Sequence, residues 1–377
     1  MMADGGWRKS DNCEAIGAEM IWLISSVSCI PHLPSALRHP QSCVQALAFR
    51  PHLRLFERVT FPVRATAYSP GSIGNLGPGL DVLGCAVEGA GDTVVAEFSD
   101  ATGITILEPG HESLGTDPTL HAAGIAAIAV VRRATHMGAT TPAGGIGLRV
   151  TKGLPLSAGR GGSAASAVAG AAAVNALIGS PLSRNDILEA ALFAETQVAG
   201  RHLDNIAPSY LGGIVLIRSL EPIDVISVPV PAALHLALAT PEQRLRTSEA
   251  RAVLPVEVSL NVALHQAAQV GGMVAALYTG DLALLGRCID DRIAEPARSG
   301  MLPGFAKAKH AALTAGALGV SISGAGPTAF ALCDSEETAT AVARAMGEVY
   351  QNVGMSCDTR VARPDLTGTR VETAMRE

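Results

Sequence analysis

The sequence predicts an α+β fold, and three observations carry that prediction. Short β-type runs and helical runs follow one another without a regular βαβ alternation, which argues against a doubly wound parallel sheet. The chain has 377 residues, of which 48% are hydrophobic and only 16% charged, enough apolar material for a large core. Glycine- and proline-bearing turns recur between the runs and bound them sharply.

The elements fall in order. Residues 1–58 are turn-rich and without a clear period, and read as a disordered stretch or leader. Ser25 to Arg58 is nearly free of acids, so an organelle transit peptide is the alternative. From Val59 onward, strands are expected at Val63–Tyr68, Thr93–Phe98, Ile146–Val150 and Gly213–Arg218. Helices are expected at Leu120–Met137, Ala164–Ile178 and Asn185–Ala199. Gly179 and Pro181 end the second of these, and Ser183 offers an N-cap to the third with Asp186 at its acidic N3 position.

A second half is expected from Glu221. It reads strand Asp224–Val230, strand His235–Ala239, long helix Val256–Tyr278, then helices Asp281–Ile293 and Pro303–Ala315. Strand Gly319–Ile322, the turn Ser323–Thr328, strand Ala329–Cys333, helix Glu336–Tyr350 and strand Cys357–Ala362 complete it. The expected organisation is therefore an extension (1–58), a first domain (59–220), a second domain (221–367) and a tail (368–377).

Composition excludes several classes. A net charge of −6 gives no basic face for nucleic acid. The apolar run Ile21–Ile30 is far short of the roughly 20 residues a membrane-spanning helix needs. The cysteines at 13, 29, 43, 85, 288, 333 and 357 form no Cys-x-x-Cys pair, which suits reduced thiols in a cytoplasmic setting better than zinc or a disulfide framework.

The chemistry centres on Gly153-Leu-Pro-Leu-Ser-Ala-Gly-Arg-Gly-Gly-Ser-Ala-Ala165. Its glycines let backbone approach a ligand, and the Ala-rich helix that follows offers unpaired N–H groups and a dipole to an anion. Alone, such a loop equally fits a turn capping a buried helix. It is neither a Walker A loop, which ends Gly-Lys-Ser/Thr, nor a Rossmann loop, since Ala164 stands where the third glycine belongs. Polar groups recur elsewhere: Asn75 and Asp81 in a glycine-rich turn, and Glu195 on the apolar face of its helix beside Ala191 and Leu192. His202-Leu-Asp204-Asn205-Ile-Ala-Pro208 follows, then Thr247 to Arg251 and Glu295 to Arg298. A carboxylate facing a core needs a cation or a proton, so Glu195 is either a site residue or half of a structural ion pair.

Together these segments resemble the GHMP kinases. The pattern Pro-x-x-x-Gly-Leu-Gly-Ser-Ser-Ala is matched by Pro155, Gly159, Gly161, Ser163 and Ala164, with Arg160 in place of Leu and Gly162 in place of the first Ser. The Asn75 turn, the His202–Pro208 segment and the two arginines resemble the homoserine kinase branch, and Ser323–Thr328 resembles the third GHMP motif. The resemblance spans about residues 59–367 and implies two mixed α/β domains with a nucleotide site at the Gly-rich loop and helix N-terminus. It implies ATP phosphates on Lys152 and on Pro155, Leu156, Ser157, Ala158, Gly159, Arg160, Gly161, Gly162, Ser163, Ala164, Ala165 and Ser166, with Gly324 and Gly326 close by. Mg2+ falls to Glu195 and Ser163, and L-homoserine to Asn75, Asp81, His202, Asn205, Thr247, Arg251 and Arg298. Glu195, Asn205 and Asp81 carry the catalytic roles.

Homoserine is a zwitterion with a terminal hydroxyl, and the residue inventory matches it. Arginines suit the carboxylate, Asp81 the ammonium, and Asn205 with His202 the hydroxyl. A mevalonate-type kinase and a non-catalytic nucleotide-binding protein are the alternatives; Arg160 and Gly162 are the features in favour of the latter. Thr119 stands where the family often has Asn near adenine. A homodimer is one expectation for assembly, with neither nucleic acid nor membrane as partner.

Overall fold

The computed structural model describes residues 61–139 and 144–376. The expectation for residues 1–58 lies outside them. The described residues belong to one compact unit.

Eleven strands among the described residues form two sheets. The first contains β1 (Arg64–Gly74), β2 (Leu83–Ser99), β3 (Ile104–Glu108), β4 (Gly145–Thr151), β5 (Ile214–Leu220), β6 (Ile223–Val228) and β11 (Arg370–Ala374). Its main path runs β11-β1-β2-β4-β3, and β5 joins the far end of β2 and pairs with β6. The second sheet contains β7 (His235–Pro241), β8 (Gly319–Ile322), β9 (Ala329–Cys333) and β10 (Cys357–Ala362), in the order β10-β7-β9-β8. All pairings are antiparallel except β3 with β4.

Helices α1 (Ala122–His136), α2 (Gly162–Leu177) and α3 (Arg184–Val198) pack with the first sheet around one core. Helix α2 is buried nearly all round because it is built from alanine, valine and glycine, so neighbouring elements approach it from every side. Ser183 caps α3 and Asp186 returns the bond, the capping box expected from sequence. After α4 (Ile206–Leu211) and α5 (Thr247–Ala252) come α6 (Leu260–Thr279), α7 (Leu282–Arg287), α8 (Ala294–Arg298), α9 (Phe305–Thr314) and α10 (Glu336–Asn352). Helices α9 and α10 cover one face of the second sheet. The core on its other face takes Ile73, Leu83 and Cys85 from the first sheet and Leu236, Leu238 and Phe330 from the second, so the two sheets share an apolar joint.

Three differences from the sequence reading have physical causes. Strand β6 was placed in the second half but pairs with β5, so the change of sheet falls after Val228 rather than at 221. The tail is not loose: Arg370 to Ala374 pair with Tyr68 to Arg64, and Arg370 is held by Asp365 and lies over the Tyr68 ring. The expected helix Asp281–Ile293 ends at Arg287, because Asp291 folds back to accept the amides of Ile293, Ala294 and Glu295 and starts α8 instead.

Candidate active site

The turn between β1 and β2 is held in unusual backbone geometry. Asn75, Leu76 and Asp81 all have positive φ (66°, 48° and 62°), a conformation Asn and Asp tolerate better than other non-glycine residues. Asn75 fixes the turn with both ends of its amide. Its Nδ2 donates to the Gly324 carbonyl (3.0 Å) and its Oδ1 accepts from the Asp81 amide (3.2 Å). The Asn75 amide donates to Asp204 Oδ2 (2.9 Å), which ties this turn to the segment before α4. Gly84 is required there, since a Cβ would lie 1.9 Å from the Asp204 carbonyl oxygen.

The Gly-rich loop delivers the N-terminus of α2. Gly161 is the N-cap at φ 68° and no side chain caps the helix, so its first amides remain open to an anion. Beneath the loop lies a buried hub. Asp92, fully buried, accepts from the Gly153 amide (3.1 Å), the Leu154 amide (3.3 Å), Ser166 Oγ (2.6 Å) and Lys152 Nζ. Lys152 also donates to the Gly162 carbonyl (2.9 Å) and Ser166 Oγ (3.0 Å). Its three protons are thus committed, so Lys152 and Ser166 shape the loop rather than offer a free charge to phosphate.

A cleft of about 350 Å³ opens over this loop. Asn75, Asp81, Lys152, Leu156, Ser157, Ala158, Gly159, Gly161, Gly162, Ser163, Ser166, Glu195, His202, Asn205, Thr247, Arg251, Arg298 and Gly324 line it. Five expected residues do not. Pro155 and Arg160 face another cleft behind the loop, and Arg160 is drawn there by Asp358 (3.4 Å). Ala164 and Ala165 point into the core. Gly326 packs its back against Ile322 and Leu302.

The charged residues of the cleft form a network. Glu195 is 3% exposed; its Oε1 accepts from Ser163 Oγ (3.1 Å), while Oε2 is buried with no partner among the described residues. Burial raises its pKa, against the opposing pull of His202 and the Ser163 bond. His202 Nδ1 lies 3.0 Å from Asp204 Oδ1. Burial disfavours the imidazolium, but Asp204, Glu195 and Asp81 outweigh it and hold the His202 pKa up at about 9. Asn205 accepts from Ser72 Oγ (3.0 Å) through Oδ1.

The family resemblance implies Arg251 on a substrate carboxylate and Asp81 on an ammonium. In the structure the two grip each other, Nη1 to Oδ1 at 3.1 Å and Nη2 to Oδ2 at 2.5 Å. Burial and the Asp204 charge raise the Asp81 pKa, and Arg251 opposes them. Arg298, also read as a carboxylate ligand, is buried and donates to the carbonyls of Ala250 (3.0 Å) and Gly324 (2.8 Å). It therefore fastens α5 to the turn after β8 as well as facing the cleft.

Sequence reasoning missed Asp92 as the anchor of the loop and gave Asp204 no role, although Asp204 sits inside the segment it singled out. It also missed Leu114, Leu120, His121, Arg246 and Ser248, which line the cleft. Thr119 is not on that lining; it closes a local turn with Asp117 (2.8 and 2.7 Å). Little in the sequence distinguishes these residues, because their roles follow from distant partners.

Comparison with known proteins gives the family of the chain. Residues 124–213 match the GHMP kinases N terminal domain and residues 273–352 the GHMP kinases C terminal domain. A homoserine kinase of Chlorobium phaeovibrioides is 42% identical over 291 residues, covering 75% of this chain and 91% of that protein. The chain belongs to the GHMP kinase family, on its homoserine kinase branch. A homoserine kinase of Arabidopsis thaliana is 39% identical over 324 residues, 82% of this chain and 85% of its own length. The crystal structure of a homoserine kinase from Cytophaga hutchinsonii superposes with a TM-score of 0.76 at 38% identity, covering 82% of this chain and 98% of that one. A mevalonate kinase from L. major, at 16% identity and a TM-score of 0.59, shares the GHMP fold. No helix among the described residues is long and apolar enough to cross a membrane.

Proposed function

We propose that this chain transfers the γ-phosphoryl group of ATP to the side-chain hydroxyl of L-homoserine, giving O-phospho-L-homoserine, a step of threonine biosynthesis. The observation that carries the reading is the Arg251–Asp81 pair, set in the same cleft as the uncapped N-terminus of α2. A zwitterionic amino acid exchanges into that pair without stranding a charge: its carboxylate replaces Asp81 on Arg251, and its ammonium replaces Arg251 on Asp81. The amides at the start of α2 receive the phosphates. Leu114 and Leu120 give the cleft apolar surface suited to a base.

Mg2+ fits the residues present. The unpartnered Glu195 Oε2, beside the Ser163 hydroxyl, is an oxygen donor that awaits a cation. One carboxylate beside a hydroxyl suits an ion held chiefly by phosphates and water. Held by Glu195 and Ser163, Mg2+ would supply charge neutralisation to the phosphates. His202 keeps its proton below about pH 9, Asp81 is engaged by the ammonium, Asp204 by the Asn75 amide and His202, and Glu195 by the magnesium. No side chain is left as general base, so the hydroxyl proton leaves late, to a phosphate oxygen. The chain's own contribution is orientation and charge placement.

The non-catalytic alternative rests on Arg160 and Gly162. Arg160 lies behind the loop and takes nothing from the cleft; Gly162 leaves the cleft one hydroxyl fewer, but Ser163 and Glu195 remain in place there. Self-association as a homodimer belongs to the proposal; exposed Leu260, Leu264 and Tyr278 on α6 support it, and light scattering checks it. The cytoplasm is the proposed compartment, with an organelle the alternative if residues 1–58 act as a transit segment; cell fractionation separates the two. Phosphorus NMR of a reaction with Mg-ATP and L-homoserine tests the activity: a new phosphate monoester on the side-chain oxygen is expected, and ATP hydrolysis to free phosphate alone would refute it.

A further inference from the structure

Behind the Gly-rich loop lies a second cleft of about 760 Å³. Leu156 and Ala158 line both clefts, so the loop is a common wall. The second cleft is built around guanidinium groups: Arg160, which is buried, Arg360, and Arg244 at the rim. Their compensation is incomplete. Asp358, largely exposed, reaches Arg160 at only 3.4 Å, and Glu242 makes no ion pair with any of the three. Burial lowers the Arg160 pKa, and the neighbouring Arg360 charge lowers it further.

Two residues of this wall, Arg360 and Gln243, each carry a buried polar atom without a partner among the described residues. Arg360 donates through Nη2 to the Gly89 carbonyl (3.3 Å), which leaves Nη1 unsatisfied. Gln243 donates through Nε2 to the Met301 carbonyl (2.8 Å), which fixes the amide and leaves Oε1 unsatisfied. Unmade bonds of this kind are costly, and groups left so in a folded protein call for a ligand or water. The missing partners are an anionic acceptor for Arg360 and an N–H or O–H donor for Gln243.

We propose that this second cleft binds a small organic oxyanion that also carries a hydroxyl or amine donor, at a site separate from the phosphoryl-transfer cleft. The anion sits between Arg160 and Arg360, and the donor reaches Gln243. Its head group is a phosphate monoester or a carboxylate.

Calorimetric titration of the full chain tests this, with Mg-ADP in the first cleft so that no turnover occurs. Glycerol 3-phosphate and D-glycerate are the probes, and they separate the two head groups. One or both are expected to bind, one per chain, with about tenfold or greater weakening in Arg360→Gln, the loss of one charge-assisted contact. Kinase turnover in that variant should stay within about twofold of the parent. If Arg360→Gln does not fold, the exposed Arg244→Glu gives the same reading. Absence of heat with both probes, or binding indifferent to both substitutions, would each overturn the site.

Discussion

Glu195 and His202 share one buried network, and folding raises the pKa of both, with opposite consequences for stability at neutral pH. Folding raises the pKa of Glu195 by burial, so keeping it ionised costs stability at neutral pH. Glu195→Gln should therefore leave the melting temperature unchanged or raise it. The turnover number should fall on the order of 10²-fold or more, as on removal of one transition-state electrostatic contact. A variant that melts earlier but turns over normally would make Glu195 a structural residue. His202 is raised from 6.5 to about 9. Its contribution to stability is therefore complete below about pH 6.5 and lost as pH rises through about 9. Thermal melts from pH 6 to 10 should show that decline, and His202→Gln should flatten it. Arg251 gives the cleaner test of substrate binding than Arg298, which also supports two carbonyls. Arg251→Gln should raise the homoserine KM by about 10- to 150-fold, the worth of a charge-assisted contact, with the ATP KM little changed. Equal losses for both substrates would place Arg251 in the scaffold.

At the scale of elements, the Gly-rich loop depends on a close contact with the turn after β8. Gly159 has φ 73°, and a Cβ there would lie 2.6 Å from the carbonyl oxygens of both Ser323 and Gly326. The Thr328 hydroxyl reaches across to the Ala158 carbonyl at 2.6 Å. Gly159→Ala should therefore push the two segments apart, costing roughly 1–3 kcal/mol of stability as overpacking does and raising the ATP KM by about tenfold. Melting curves and ATP saturation kinetics check both; an unperturbed variant would mean the contact is dispensable. The loop and the α3 capping box were legible in sequence because their signals are local: spacing, glycines and a Ser–Asp pair three apart. Asp92 was not legible, since its partners Lys152 and Ser166 lie 60 and 74 residues away. Nor was the direction of Arg160, which Asp358 sets from 198 residues downstream.

For the whole molecule, residues from both sheets meet at the cleft. Asp81 and Glu195 come from the half of the chain that builds the first sheet, whereas Arg251 and Arg298 come from the segment between β7 and β8. The α+β class was readable from the mixed order of runs, but the pairing of β6 with β5 and of β11 with β1 was not, because strand partners are chosen by tertiary packing. In the proposed function the two halves also divide the chemistry: the first would hold phosphates on α2, and the second would supply the cations that select an amino acid. Substrate choice therefore tests the account most directly. A coupled ADP-release assay with Mg-ATP and L-homoserine, mevalonate or shikimate should give turnover with L-homoserine and none above background with the others. Turnover with mevalonate and none with homoserine would contradict it.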